Sequence, residues 1–252
     1  MPAMPAPAHV PTTLISLRPA GQHAAMRRAA ARHGMTLQAV SPWRLQARGD
    51  EATRQALARA LAAPAVVFTS PAAVRAARAL GALHPAADAS WLAVGEGSAQ
   101  ALRRAGVATV LQPTRMDSEG VLGLPVLSAV GRVGLVTAPG GRGVIAGELA
   151  QRGVEVIRAD VYERIPLLIP AATVRRLRAL ANPTVLALSS GEAFVRILEQ
   201  LPPDLLARWQ AQPVVAASDR LAALAAERGF ARILRAEGPR PEQLLAAVAT
   251  AG

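Results

Sequence analysis

Short apolar runs, many of them β-branched, alternate along the chain with longer stretches rich in alanine, leucine and arginine. In the first half, the apolar runs predict strands at 12–17, 35–40, 65–70, 91–95 and 108–113, and the stretches between them predict helices at 22–33, 50–62, 72–80 and 98–105. Strands that alternate with helices are typical of βαβ units in a parallel sheet. The runs are continuously apolar, as in a sheet covered on both faces. The pattern therefore predicts an α/β fold with parallel sheets.

The second half of the chain repeats this order. Three pairs of segments carry the repeat: RVGLVTAPGG at 132–141 with TLISLRPAGQ at 13–22, VLALSSGEAFVRIL at 185–198 with VVFTSPAAVRAARAL at 66–80, and VAASDRLAALAAERGF at 215–230 with AVGEGSAQALRRAGV at 93–107. Ser70 and Ser190 are 120 positions apart, and Gly106 and Gly229 are 123 apart. The nearly constant offset predicts two similar α/β halves with a cleft between them, a common place for a ligand.

Composition excludes several kinds of chemistry. The chain has no cysteine and, because all 28 of its Lys+Arg residues are arginine, no lysine. Thiol nucleophiles, thiolate metal sites, Schiff-base lysines and the P-loop lysine are therefore excluded. The four histidines lack metal-ligand spacing and suit surface or capping roles, so we expect no metal site. The formal charge of +11 favours an anionic partner.

The chain carries no signal that directs it to a membrane. Residues 1–11 are broken by prolines and predict a disordered leader rather than a signal peptide. No apolar run reaches the length of a membrane-spanning helix. We expect a cytoplasmic protein with no membrane partner. A nucleic-acid-binding module would rest on the basic charge alone, because aromatic residues make up only 3% of the chain, and we do not expect one.

Small polar residues end several strands just before a helix begins. Such turns contain Ser70, Gly95 with Ser98, Ser118, Arg142 in the glycine-rich 139–143, Ser189 with Ser190, and Ser218 with Arg220. Serine caps helices in many proteins, which is one explanation of these turns. The other is an anion site, because parallel strands end at the same edge and helix N-termini offer N–H groups there. The glycine-rich turns lack the spacing of a dinucleotide loop.

Two further side chains have alternative interpretations. Arg18 follows the first strand, either as a solvated residue before a turn or as a guanidinium that grips a carboxylate. Tyr162 is the only tyrosine, in an extended segment between two regions of regular pattern. Its ring either fills a domain boundary, or its phenol donates a proton or a hydrogen bond within the cleft.

Taken together, these segments resemble the uroporphyrinogen-III synthase family over residues 13–250. The matching motifs are LISLRPAGQ, VVFTSPAAV, AVGEGSAQAL, QPTRMDSEGVL, APGGRGVIAGELAQRGVEV, VYER, LSSGEAF and AASDRLAALAAERGF. The resemblance implies two flavodoxin-like domains joined by a two-stranded connector, with a cleft between them. The expected boundaries are 12–40 with 165–252 for the first domain, 44–160 for the second, and 40–44 and 160–165 for the connectors.

The family closes hydroxymethylbilane, a linear tetrapyrrole with eight carboxylates, into uroporphyrinogen III. Water is lost, the terminal pyrrole ring is inverted, and no cofactor or metal takes part. By resemblance, Tyr162 is the general acid that helps hydroxide to leave, and a phenol of ordinary acidity is protonated at neutral pH. The resemblance also implies that ten residues form the site, with Arg18, Ser70, Gly95, Ser98, Arg142, Ser189, Ser190, Ser218 and Arg220 binding substrate beside Tyr162.

Two aspects of the resemblance bear on the site and on partners. Ser98 stands where the family usually has threonine, and Ser218, Arg220 and Leu221 replace a common Gly and Thr pattern, so a threonine hydroxyl has no counterpart there. The instability of the bilane favours a transient handoff from hydroxymethylbilane synthase, and nothing in the sequence requires more than a monomer. The alternative is a non-catalytic two-domain protein that binds a tetrapyrrole or another polyanion.

Overall fold

The computed structural model describes residues 12–140, 143–181 and 183–250. The predicted leader at 1–11 and the candidate Arg142 lie outside these residues. The strands are β1 Thr13–Ser16, β2 Thr36–Ala39, β3 Trp43–Ala47, β4 Ala65–Phe68, β5 Ser90–Ala93, β6 Arg132–Thr137, β7 Glu155–Asp160, β8 Tyr162–Pro166, β9 Thr184–Leu188, β10 Val214–Ala216 and β11 Ile233–Arg235. The helices are α1 Ala24–Arg32, α2 Glu51–Leu61, α3 Pro71–Leu80, α4 Glu96–Arg104, α5 Ser118–Leu122, α6 Val144–Gln151, α7 Ala171–Arg178, α8 Gly191–Leu198, α9 Pro203–Gln210, α10 Asp219–Glu227 and α11 Pro241–Ala249, with a 3-10 helix at Pro125–Ser128.

The chain forms two compact units. One, called here the split unit, combines the chain up to Arg44 with the chain from Pro166 onward, and the central unit runs from Leu45 to Ile165. The split unit contains a parallel sheet in the order β11-β10-β9-β1-β2, and the central unit contains a parallel sheet in the order β5-β4-β6-β7. The predicted α/β class with parallel sheets is therefore confirmed.

The inner strands are buried along their whole length, as their continuously apolar sequences predict. Every residue of β1, β4 and β9 is buried. Helices cover the sheet of the central unit, where α2, α3 and α4 pack on one face around Phe68 and Trp91, whose ring centroids are 5.1 Å apart. The opposite face packs against α5 and α6 through Leu122, Leu149 and their neighbours. A sheet buried on both faces explains why these strands lack an alternating pattern.

One predicted strand is not formed. Residues 108–113 make only an isolated parallel bridge, in which Leu111 pairs with Leu92 of β5. Leu111 donates to the carbonyl of Trp91 and accepts from the N–H of Ala93, each at 2.9 Å. The next N–H that could extend this parallel ladder would belong to residue 113, which is a proline and has none. The corresponding segment of the other unit forms β11, which packs against both α10 and α11.

A separate two-stranded antiparallel sheet joins β3 to β8, as the resemblance implies. The N–H of Arg48 donates to the carbonyl of Val161 at 3.0 Å, and the N–H of Leu167 donates to the carbonyl of Pro42 at 3.0 Å. The paired strands extend to Ala47 and Pro166. Compared with the segments 40–44 and 160–165 named from the sequence, both strands are shifted toward the C-terminus, and they begin three and two residues later, respectively.

Candidate functional site

A polar cavity opens at the carboxyl ends of the strands in the central unit. Its volume is about 210 Å³. The residues around it follow β4, β5 and β6 or belong to the segment from β7 to β8, and its polar lining comprises Thr69, Ser70, Ser118, Thr137, Arg158, Tyr162 and Arg164. In open α/β sheets this edge is the usual position of a ligand. No carboxylate is among the described residues that line the cavity, so its charged lining is cationic.

Ser70 and Tyr162 meet in this cavity. The Tyr162 hydroxyl lies 3.1 Å from Ser70 Oγ. Ser70 is also the N-cap of α3, where its Oγ accepts a hydrogen bond from the N–H of Ala73 at 3.1 Å. Pro71 at the first helical position fixes the direction in which the helix begins. The phenol is therefore held against the positive end of a helix dipole by a serine that the helix itself positions.

The backbone on either side of Val161 fixes the tyrosine where the chain leaves the sheet. The N–H of Val161 donates to the carbonyl of Thr137 at 3.0 Å, which continues the pairing of β6 with β7. The carbonyl of Val161 accepts from Arg48, which begins the pairing of β3 with β8. Val161 is fully buried and Tyr162 is 6% exposed. Backbone hydrogen bonds of Val161 to two different strand pairs thus fix the backbone beside Tyr162, whose side chain lines the cavity.

Two arginines beside Tyr162 were missed by the analysis of the sequence. Arg158 and Arg164 line the cavity, and Arg158 forms an ion pair with Asp160 at 2.9 Å. The residues 158, 160, 162 and 164 alternate with buried Ala159 and Val161. Because side chains alternate between the two faces of an extended chain, this period of two was a readable signal that these groups share a face with the tyrosine.

A pair of threonine hydroxyls forms the floor of the cavity. Thr69 follows β4 and Thr137 ends β6, and these strands are neighbours in the sheet. The Thr69 hydroxyl donates to Thr137 Oγ1 at 2.8 Å. The Thr69 N–H also donates to the Val136 carbonyl at 3.2 Å. The sequence analysis named neither threonine, although each directly follows the apolar residues of a predicted strand.

The other candidates of the central unit lie around this edge in different environments. Gly95 is the N-cap of α4 and has an extended backbone. Ser98 lies within α4, is 3% exposed, and does not belong to the cavity lining. Ser118 begins α5 and does line the cavity.

The serines of the split unit cap two neighbouring helices. Ser190 Oγ accepts from the N–H of Ala193 at 3.3 Å, and Ser218 Oγ accepts from the N–H of Leu221 at 3.3 Å. Their strands, β9 and β10, are adjacent. Arg220 is exposed, and its Nη1 would lie 3.6 Å from a Cβ added at Gly191. The half-buried Ser189 directly precedes Ser190, so four of the candidates share this edge of the sheet.

Arg18 is half-buried just after β1. Its Nη2 donates to the carbonyl of Pro239 at 3.3 Å, in a contact that is exposed to solvent. Within the described residues, Arg18 Nε is buried and has no hydrogen-bond partner. Burial lowers the pKa of Arg18 below its ordinary value, because the charged form loses water.

His23 lies inside the split unit rather than on its surface. It is the N-cap residue of α1 and is 8% exposed. Its Nδ1 lies 3.0 Å from Ser16 Oγ, and its Nε2 lies 2.9 Å from Ser41 Oγ. Burial lowers the pKa of His23, and the charges of Arg18 and Arg27 lower it further. The sequence predicted a surface or capping role; the capping position is as expected, but the burial is not.

Two general features of the described residues limit the kinds of site. In residues 12–140, 143–181 and 183–250, no group of three or more His, Cys, Asp or Glu side chains is arranged to hold a metal ion. Over the same part of the chain, no helix combines the length and the apolar composition needed to cross a membrane.

Comparisons with known proteins agree with the motifs and with the fold. The family model described as uroporphyrinogen-III synthase HemD matches residues 24–246. A mutant uroporphyrinogen III synthase from the extremely thermophilic bacterium Thermus thermophilus superposes with a TM-score of 0.61 at 20% identity, covering 95% of this chain and 98% of the other. Uroporphyrinogen-III synthetase from Helicobacter pylori 26695 has a TM-score of 0.61 at 15% identity, covering 96% of this chain and 100% of the other.

No curated protein matches the sequence significantly. At these identities the two structures show a shared fold, whereas the family model matches most of the chain in sequence. The chain belongs to the uroporphyrinogen-III synthase family.

Proposed function

We propose that this chain converts hydroxymethylbilane into uroporphyrinogen III, with loss of water and inversion of the terminal pyrrole ring. The observation that carries the proposal is the 3.1 Å contact between the Tyr162 hydroxyl and Ser70 Oγ in a cationic cavity. The contact supports the proposal because a phenol hydroxyl lies beside groups that attract carboxylates. Membership of the family supplies the class of substrate.

Tyr162 acts as the general acid in this proposal. The nitrogen electrons of the pyrrole that bears the hydroxymethyl group expel hydroxide, the C–O bond breaks, and the phenol protonates the hydroxide to give water. The substituted α-carbon of the pyrrole at the other end then bonds to the resulting electrophilic carbon, and the bond from that α-carbon to its own methylene bridge breaks. The free α-carbon of the same ring bonds to the released methylene, which inverts the ring and closes the macrocycle, and the proton that this carbon loses restores the phenol. Ser70 accepts or donates at the phenol oxygen, so the phenol keeps one orientation while its proton is used.

The remaining residues hold the polyanionic substrate. The N-termini of α3, α5 and α6 reach the cavity through Ser70, Ser118 and Gly143. N–H groups and dipoles at such ends favour carboxylates. In the split unit, Arg18, Ser190, Ser218 and Arg220 would bind further carboxylates. Because unassisted closure gives the uninverted isomer, most of the catalytic effect would come from the shape imposed on the bound bilane. The scheme uses no cofactor.

The function is tested by the isomer that the protein makes. Purified protein would be incubated with hydroxymethylbilane generated enzymatically in the same vessel, and the oxidised porphyrins would be separated. We expect the type III isomer to dominate and its rate of formation to rise with protein concentration. Type I porphyrin alone would overturn the proposal. Tight binding without faster closure would instead identify a non-catalytic binder of tetrapyrroles.

The role of Tyr162 is tested by Tyr162→Phe, which removes the proton donor and keeps the ring. We expect kcat to fall at least about tenfold, which corresponds to about 1.4 kcal/mol of transition-state stabilisation. The unfolding temperature should change little, because the buried ring remains in place. Near-normal kcat in a folded variant would remove Tyr162 from the acid role.

A further inference from the structure

We propose that Arg158, oriented by Asp160, binds one carboxylate of the substrate beside Tyr162. This assignment rests on the proposed function and adds a specific subsite to it. Arg158 lies four residues before Tyr162 on the same face of the extended chain, and both side chains line the cavity. A carboxylate held by Arg158 would therefore fix a pyrrole ring close to the proton donor.

Arg158 is held in one position before any ligand arrives. Its Nε donates to Asp160 at 3.0 Å and 3.1 Å, to Oδ1 and Oδ2 respectively. Its Nη2 lies 2.9 Å from Asp160 Oδ1 and donates to the carbonyl of Ala138 at 2.8 Å. Nη1 takes no part in these contacts. The N–H groups of Nε and Nη2 are therefore already used, and Nη1 is the part of the guanidinium that would meet an anion. An arginine side chain fixed in this way loses little further entropy when it does so.

A second guanidinium approaches the same turn. Arg164 Nη1 would lie 3.9 Å from a Cβ at Gly140, two residues beyond the Ala138 carbonyl that Arg158 contacts. Gly140 has a φ of +83°, so a side chain there would be strained as well as close to Arg164. Both guanidiniums therefore lie near Ala138 and Gly140, beside the cavity that they line. A carboxylate at this position would take charge-assisted hydrogen bonds, which are stronger than those to a neutral oxygen.

The competing explanation is that Arg158 only ties β7 to the turn after β6. Its bonds to Asp160 and Ala138 would then stabilise the fold, and its loss would lower stability without changing substrate affinity. A subsite predicts instead that KM for hydroxymethylbilane rises while kcat is largely kept, because Arg158 contacts a substituent and not the reacting carbon. The split between KM and kcat therefore separates the two explanations.

The experiment compares steady-state kinetics of Arg158→Gln, Arg158→Lys and Arg59→Gln with those of the unmodified chain. Arg158→Gln should raise KM by roughly tenfold or more, the range expected for a hydrogen-bonded charge pair. Arg158→Lys keeps the positive charge but loses the planar guanidinium. Its KM should therefore lie between that of the unmodified chain and that of Arg158→Gln. Arg59 is exposed on α2, and Arg59→Gln makes the same change in net charge without touching the cavity, so its KM should be unchanged.

The orienting role of Asp160 is tested by a double-mutant cycle. Asp160→Ala should raise KM by less than Arg158→Gln does, because the guanidinium remains but becomes mobile. In the Arg158→Gln background, Asp160→Ala should have no further effect on KM, since Asp160 would act only through Arg158. Independent, additive effects of the two substitutions on KM would overturn the orienting role.

The outcomes also separate this subsite from the proposed function. If the unmodified chain forms no type III isomer, the proposed function fails. If the unmodified chain is active and Arg158→Gln is folded with an unchanged KM, the subsite fails while the function stands. A lower unfolding temperature with unchanged KM identifies Arg158 as a structural tie and overturns the proposal.

Discussion

The two units contain the same four-stranded core and differ in what they attach to it. The paired sequence segments match β5-β4-β6-β7 of the central unit with β10-β9-β1-β2 of the split unit, in the same spatial order. The strand register also agrees. Leu135 pairs with Arg158 in the central unit, and Ser16 pairs with Ala39 in the split unit. Leu135 follows Ser16, and Arg158 follows Ala39, by the same 119 positions. Gly106 and Gly229 end equivalent helices with a positive φ. The scaffold of the units is therefore duplicated, and the chemistry is not.

The difference is concentrated on the segment that leaves each edge strand. At positions equivalent to Arg158, Asp160 and Tyr162, the split unit carries Ala39, Ser41 and Trp43. Ser41 is engaged by His23. Thus the arginine and the phenol of the central unit line a cavity, whereas the serine at the equivalent edge of the split unit is hydrogen-bonded to a buried histidine. Equivalent backbones can therefore hold a candidate acid in one copy and a structural hydrogen-bond network in the other.

The net charge of a unit does not indicate which unit carries the candidate acid. The split unit has fifteen arginines against seven acidic residues, whereas the central unit has thirteen against ten. The phenol nevertheless lies in the less charged unit, next to an arginine paired with Asp160. The proposed subsite depends on the arginines that line the cavity rather than on the total charge, because exposed charges are screened by salt within about 10 Å.

The largest expected effect comes from a position where the packing of the two units differs. A Cβ added at Gly134 in β6 would lie 1.9 Å from the backbone oxygen of Ala60 in α2. The equivalent residue of the split unit is Ile15, which is 1% exposed. We expect Gly134→Ala to lower the free energy of unfolding by about 3 kcal/mol or more, because a backbone atom must move. Urea unfolding would measure this loss.

The matched control for Gly134→Ala is Gly147→Ala. Gly147 is exposed within α6, and nothing lies within 4 Å of its added Cβ. There, alanine should stabilise the protein by up to about 1 kcal/mol through its higher helix propensity. If Gly134→Ala and Gly147→Ala changed the free energy of unfolding equally, the close approach of α2 to β6 would not require glycine at position 134. This difference in packing between the units would then not affect stability.

Most of the fold could be predicted from the sequence, because burial on both faces gives β1, β4 and β9 an unmistakable apolar signature. The duplication also indicated that neighbouring strands recur in order. Residues 108–113 form a single bridge rather than a strand, because Pro113 has no N–H with which to continue the ladder beyond Leu111. Their counterpart β11 pairs fully and contacts α10 and α11.

The site was less accessible from the sequence. Ser70 and Tyr162 were proposed from the family resemblance, but their contact joins residues 92 positions apart and depends on the pairing of β4, β6 and β7. The alternation of polar and apolar residues from Arg158 to Arg164 was visible in the sequence. Only the pairing of the strands, however, shows that the polar residues lie beside a cavity. The burial of His23 could not be read, because its partners Ser16 and Ser41 belong to different segments.

A smaller effect should separate the two capping serines. Ser70→Ala and Ser190→Ala each remove an N-cap and should each lower the free energy of unfolding by about 1 kcal/mol. Only Ser70 contacts the phenol, so Ser70→Ala should also lower kcat about fivefold, the value of one hydrogen bond. Ser190→Ala should change KM rather than kcat. Steady-state kinetics with paired urea unfolding would measure both, and equal losses of kcat would contradict the functional difference between the caps.

The smallest expected effect tests the internal network of the split unit through pH. Burial and the charges of Arg18 and Arg27 lower the pKa of His23 in the folded protein, whereas the unfolded chain has the ordinary value near 6.5. As pH falls below about 6.5, His23 therefore binds a proton in the unfolded chain more readily than in the folded chain. The free energy of unfolding decreases as a result. Above that pH, His23 is neutral in both states and contributes no such dependence.

The measurement is urea unfolding of the unmodified chain and of His23→Gln at about pH 7.5 and about pH 5.5, on either side of the ordinary histidine pKa. Carboxylates titrate mainly below this window, so the histidines dominate the change within it. His23→Gln can still bridge Ser16 and Ser41 through its amide, but it cannot be protonated. Its stability should depend less on pH than that of the unmodified chain, even if it is less stable at the higher pH. If the stabilities of the unmodified chain and of His23→Gln depended equally on pH, then Ser16 and Ser41 would accommodate a charged imidazole. The stability of the split unit would then not require a neutral His23.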